Sequence, residues 1–264
     1  MFIVVCVKQV PDTWSEKKLD ASDSTLDRAA TDPVMNEMDE YAVEEALKLQ
    51  EAHGGEVTIL CMGPDAATET VRKALSMGAD KAVHVIDDAL HGSDAIATSL
   101  ALAKAIEKAG PIDLVLLGSE SSDARMSVVP AMLAERLGLP QLTFAKEVTI
   151  NTGDGATKIS IKRLTDDGYQ VVEASTPAVV SVVEKINEPR YPSFKGIMAA
   201  KKKPVETFTL ADLGVDAGQV GLSGAWSQVT SFEAAPPRSA GTIVKDEGDG
   251  ADKLVEFLAS KKFV

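Results

Sequence analysis

Four short apolar runs mark the first half of the chain: "FIVVCV" (2–7), "VTILCM" (57–62), "KAVHVI" (81–86) and "LVLLG" (114–118). They are rich in β-branched residues and lack strict alternation, the pattern of strands buried on both faces of a parallel sheet. Between them the apolar positions recur at helical spacing. Residues 40–53 place Ala42, Val43, Ala46, Leu47 and Leu49 on one broad face and stop at Gly54-Gly55, with Asn36 or Asp39 as the cap. Residues 65–77 group Val71, Ala74 and Leu75 before Gly78. Residues 93–108 open at Ser93 and bury Ile96, Leu100, Ala103 and Ile106, and a fourth helix from about 124 to 137 ends at Gly138. Alternating strands and helices predict right-handed crossovers and an α/β fold with a doubly wound, Rossmann-like parallel sheet.

After Pro140 the pattern changes period. Residues 146–175 alternate polar and apolar positions, as Ile159 and Ile161 do against Lys158, Ser160 and Lys162, and are broken by "GDG" (153–155) and "DDG" (166–168). That predicts an antiparallel meander as an extension of the sheet. "AVVSVV" (178–183) reads as one more buried strand. From Asn187 the periodicity fades, and only "GADKLVEFLASKKF" at the end is helical in pattern. So long a stretch with little core of its own predicts residues 1–186 as the α/β domain and 187–264 as an arm that packs on something else.

Composition narrows the class. The chain has 264 residues, 45% of them apolar, and a net charge of −13, which argues against a nucleic-acid partner. No apolar run reaches the length of a membrane span and no signal peptide is recognisable, so the expectation is a cytoplasmic protein without membrane insertion. Cys6 and Cys61 sit inside strand-like runs as small hydrophobes. The histidines, His53, His84 and His91, are scattered, so no metal site is expected, and His84 reads as a hydrogen-bonded strand residue. One basic stretch stands out, Arg190, Lys195 and Lys201 to Lys203.

The candidate chemistry lies after the fourth strand. In an open α/β sheet ligands bind beyond the carboxyl ends of the strands. There Ser119, Ser121, Ser122 and Asp123 precede a helix with Pro130 in its first turn. Unpaired N–H groups at a helix start favour an anion, so a phosphate is the natural occupant. Walker-type and dinucleotide glycine loops are missing, and so are the serine nucleophile motifs. The turn suits holding a nucleotide, not transforming it, and no catalytic residue is expected.

The stretch "IKRLTDDGYQVVEASTPAVVS" (161–181) resembles the signature segment of the electron transfer flavoprotein beta subunit. Also similar, in the same order, are "VKQVPD" (7–12), "MNEMDEYAVEEALKL" (35–49), "VRKALSMGADKAVHV" (71–85), "LVLLGSESSD" (114–123) and "NEPRYPSFKGIMAAKKKP" (187–204). The resemblance implies a non-catalytic subunit of an electron shuttle, obligately paired with an alpha subunit that holds most of the FAD. It implies a structural AMP in the beta subunit, electrons received from acyl-CoA dehydrogenases and related flavoenzymes, and delivery to a membrane quinone oxidoreductase. Rival readings are a free-standing nucleotide sensor resembling universal stress proteins and an ATP-using ligase or pyrophosphatase.

By the same resemblance, the AMP site maps onto Cys6, Asn36, Glu37, Met38, Asp39 and Met62. It continues with Asp123, Ala124, Arg125, Met126, Ser127, Val128 and Val129, running toward Ala134, and Met38 is placed toward the flavin. Here "MSVVPAM" replaces a more polar segment of many members, so phosphate contact would rest on Ser127 and the backbone. Some relatives carry a second FAD in the AMP position. AMP is favoured here because their glycine-rich loop is absent. The segment after "NEPRY" matches an arm that docks dehydrogenases, with Phe194 at the apolar anchor position and Arg190, Tyr191 and Lys195 around it.

Overall fold

The computed structural model describes residues 1–153, 157–237, 241 and 243–264. The chain forms two compact units, Met1–Thr230 and Ser231–Val264. In the first unit the elements are β1 (Phe2–Val7), β2 (Gln9–Pro11), β3 (Pro33–Met35), α1 (Glu37–His53), β4 (Glu56–Met62), α2 (Thr68–Met77), β5 (Lys81–Val85), α3 (Ala95–Ala109), β6 (Leu114–Gly118) and α4 (Val129–Leu137). They continue as β7 (Gln141–Asn151), β8 (Lys158–Thr165), β9 (Gly168–Ser175), β10 (Ala178–Val182), α5 (Phe194–Ala200), β11 (Val205–Phe208), α6 (Leu210–Leu213) and α7 (Gly221–Gly224). The second unit carries α8 (Gly250–Ser260).

The nine-stranded sheet runs β11-β5-β4-β1-β6-β10-β7-β8-β9. Every pairing from β11 to β7 is parallel, and β7, β8 and β9 pair antiparallel. The two-residue strand period divides the core. Ile3, Val5 and Val7 face α1 and α2 with Val43, Leu47 and Leu116, whereas Val4 and Cys6 face α3 and α4 with Ala101, Ile106 and Leu133. Because β1 leads through α1 to β4 on one side while β6 lies on its other side, the strand order reverses between β1 and β6. That is where the sheet opens a crevice at its carboxyl ends.

The four expected strands, their helices and the meander are all present. Several boundaries differ for visible reasons. The helix expected from 124 begins at Val129, because Arg125 and Ser127 have positive φ of 49° and 54° and leave the turn non-helical. Asp94 rather than Ser93 caps α3, accepting the Ala97 N–H at 2.9 Å. The Ser93 hydroxyl donates to the Leu90 carbonyl and accepts the Gly221 N–H. Residues 65–67 form a 3₁₀ turn ahead of α2. The DDG turn joins β8 to β9 with Thr165 opposite Gly168. Asp154 and Gly155 of the GDG turn lie outside the described residues.

Residues 187–230 are less irregular than expected. They belong to the first unit, contributing β11 beside β5 and α5 against α2, so the boundary expected at 186 falls inside that unit. In the second unit no residue of α8 is buried, and Leu254, Val255 and Phe257 are all exposed. At the far end of the sheet β9 is an edge. Its outward Tyr169 lies under Lys146 and Lys162, whose ammonium groups are 5.4 and 5.7 Å from the ring centre. Among the described residues, no helix is long and apolar enough to cross a membrane.

Candidate functional site

Neighbouring strands β1 and β6 end side by side, with Cys6 opposite Leu117, and both continue into the crevice. The first turn of α1 closes over them. Asp39, 5% exposed, accepts the backbone N–H of Lys8 at 2.8 Å and that of Gly118 at 3.2 Å. A side chain at position 118 has no room, since a Cβ would lie 2.5 Å from Met38 Cβ and 2.7 Å from Asp39 Oδ1. Burial pushes the Asp39 carboxyl up to about 7, against the pull of those N–H groups.

Asn36, the residue preceding α1, sends its side chain sideways instead of capping the helix. Nδ2 donates to the Glu120 carbonyl at 2.9 Å and Oδ1 accepts the Ser122 N–H at 3.1 Å. Asp123 is held from the other side by Lys8 at 2.8 Å and Arg28 at 3.0 Å, with only 1% of its own side chain exposed. Burial alone would raise this carboxyl, but the Lys8 charge and hydrogen bond, then Ser121 and Arg28, outweigh it and hold it at about 2. Lys17 adds a bond to the Ser122 carbonyl at 3.2 Å. The 119–128 turn is therefore fixed by residues up to 115 positions away in sequence.

The turn delivers the start of α4 uncapped. No side chain bonds its first N–H groups, Pro130 occupies the first turn, and the Ser127 hydroxyl is engaged with Glu120 at 2.9 Å. Among the described residues, the Ser122 Oγ of the same turn is buried without a partner. The first N–H groups of α4, after a turn with positive φ at Arg125 and Ser127, are donors of the kind that suit an anion.

Of the residues expected at this site, the structure brings together Asn36, Asp39, Asp123, Ser127, Val128 and Val129. Cys6, next to last in β1, and Met62, last in β4, lie on the α3–α4 face, where burial pushes the Cys6 thiol up. Glu37, Ala124, Arg125 and Met126 are exposed on the rim and Met38 is half-buried over Gly118. Lys8, Lys17, Arg28 and Gly118 were not anticipated. The only sequence signal for them is a basic residue directly following a buried strand. His84 is, as expected, a hydrogen-bonded strand residue: burial lowers its pKa against a backbone hydrogen bond with Gly63, while its Nε2 has no partner among the described residues. A separate groove of about 560 Å³ between α3 and α4 meets the corner only at Val128.

The second region of interest is residues 187–204. Asn187 Nδ2 donates to the Tyr41 carbonyl and to Glu45, each at 3.0 Å. The Arg190 guanidinium forks onto Glu44 at 2.7 and 2.9 Å and reaches Glu51 at 2.6 Å, so its charge is engaged within the chain. Beyond it Tyr191 is 95% and Phe194 80% exposed, and Lys195 is exposed beside them.

The model of the electron transfer flavoprotein domain matches residues 23–213, which include the 119–128 turn and the 187–204 segment. The electron transfer flavoprotein subunit beta of Mycobacterium tuberculosis is 53% identical over 99% of both chains. The chain belongs to the electron transfer flavoprotein family, on its beta-subunit side. The beta subunit of Megasphaera elsdenii is 37% identical over the full length of both chains. Subunit CarD of the caffeyl-CoA reductase-Etf complex of Acetobacterium woodii is 35% identical, covering 99% of this chain and 97% of its own. An electron transfer flavoprotein beta chain thus carries an enclosed polar corner and an outward apolar segment on one scaffold.

Proposed function

We propose that this chain is the non-catalytic half of a heterodimeric electron carrier. In this reading AMP sits structurally in the corner between α1 and α4, and the alpha subunit holds FAD with this chain helping to enclose it. The observation that supports the nucleotide reading is the uncapped start of α4, after a turn with positive φ at Arg125 and Ser127. Val129 and its neighbours would offer N–H groups to the phosphate, Asn36 and Asp39 would set the shape of the crevice, and Asp123 would keep the turn rigid. FAD supplies the redox chemistry when bound. The chain's own residues bind, orient and dock.

Phe194, with Tyr191 and Lys195 beside it, would dock acyl-CoA dehydrogenases and related flavoenzymes. A small apolar anchor with peripheral charge favours fast, weak association, and electrons would then pass to a membrane quinone oxidoreductase. The exposed face of α8 suits a tail, residues 231–264, completed by the alpha subunit. The test is co-expression with an alpha subunit and mass spectrometry of the released small molecules. One AMP and one FAD per heterodimer is the expected result. Two FAD would replace AMP by a second flavin, and a colourless homodimer would favour the nucleotide sensor.

A further inference from the structure

Three lysines in a row, Lys201 to Lys203, suggest a solvated run, and Lys201 and Lys202 are exposed. Lys203 is different. Its Nζ donates to the carbonyls of Leu75, Gly78 and Ala79 at 3.0, 3.0 and 2.6 Å, the open carbonyls at the end of α2. An ammonium group has three donors, and here all three are taken. In return Arg72, projecting from α2, donates through Nη1 to the carbonyls of Ala200 at 2.7 Å and Lys203 at 2.9 Å, at the end of α5. Each helix thus has its terminal carbonyls closed by a cation from the other segment.

α5 needs this latch. It has seven residues, too few to be helical alone, and buries only Ala200. Its inner face is bare at Gly196, where a Cβ would meet the Ser76 carbonyl at 2.6 Å. Its outer face exposes Phe194 at 80%, Ile197 at 45% and Met198 at 48%. A helix with so little apolar burial is kept in place by polar bonds at its end, by the Ser193 cap and by the Arg190 fork upstream.

We propose that Arg72 and Lys203 are positioning residues for partner docking, with Gly196 allowing the close seat: they hold α5 rigidly on α2 so that Phe194 is presented ready to bind. This rests on the docking reading above. An anchor fixed in its bound conformation loses less freedom on association, so loosening it weakens docking without touching the flavin chemistry.

The experiment uses the intact heterodimer with an acyl-CoA dehydrogenase as electron donor. Lys203→Met and Arg72→Met each keep an apolar stem and lose the donors. Both are expected to raise KM for the carrier about tenfold with kcat, FAD content and visible spectrum unchanged. Lys203→Arg is expected to restore most of the loss. Hydrogen exchange over residues 194–200 is expected to quicken in both Met variants. Gly196→Ala, which intrinsic helix propensity favours, is expected to raise KM as well. Phe194→Ala separates the two ideas. If it leaves KM unchanged, the docking reading fails. If it raises KM while Lys203→Met and Arg72→Met leave KM and exchange unchanged, the latch is overturned.

Discussion

The crevice corner and the 187–204 segment use polar groups in opposite directions. In the corner, Asp39, Asn36 and Asp123 are bonded to the backbone and to cations that fix the turn at the carboxyl ends of β1 and β6. In the segment, Arg190, Asn187 and Lys203 bond back to the domain while Tyr191 and Phe194 project into solvent. Each arrangement suits a different kind of partner. A small charged ligand needs convergent donors in an enclosed place, whereas a large partner needs an apolar point standing clear of the surface.

The strongest way to break the comparison is to fill the corner. Gly118→Val drives a side chain into Met38 and Asp39 and should cost about 3 kcal/mol, read from urea unfolding, with loss of bound nucleotide. Asp123→Asn removes the charge that Lys8 and Arg28 share and should cost about 2 kcal/mol by the same measurement. Phe194→Ala should change stability by less than about 0.5 kcal/mol while weakening transfer from a dehydrogenase, the reverse profile. Lys201→Ala should do the least, with unfolding unchanged within about 0.5 kcal/mol.

Acid sharpens the contrast within the corner, because its two carboxylates carry opposite linkage. Asp123 has a folded value near 2, below the unfolded value of about 3.9, so its contribution is full above that pH and is lost as pH falls toward 2. Asp39 has a folded value raised to about 7. Its contribution is greatest below about 3.9 and declines as pH rises through 7. The urea midpoint of Asp39→Asn, measured from pH 4 to 7.5, should therefore fall less with rising pH than that of the unaltered protein. Equal slopes would mean that Asp39 is not raised.

Much of this was legible from residue order, and the failures have physical causes. Burial on both faces leaves unbroken apolar runs, so β1, β4, β5 and β6 were visible. β11 is four residues long at a sheet edge, and "VETF" carries no period to detect. The delayed start of α4 depends on positive φ at Arg125 and Ser127, which neither residue type advertises. Asn36, Asp39 and Asp123, named through the family resemblance and the crevice rule, lie in the corner. Lys8 and Arg28 reach Asp123 from 115 and 95 residues away, and such pairings have no local signature.

The outermost strand of the meander has a consequence for handling the protein. Among the described residues, β9 pairs on one side only, so alternate residues of its eight turn free N–H and C=O groups outward, where a second copy could add on. Lys146 and Lys162 lie over Tyr169 near that margin, and a long charged stem there hinders such an addition. Neutralising that pair is expected to increase light scattering by the concentrated protein.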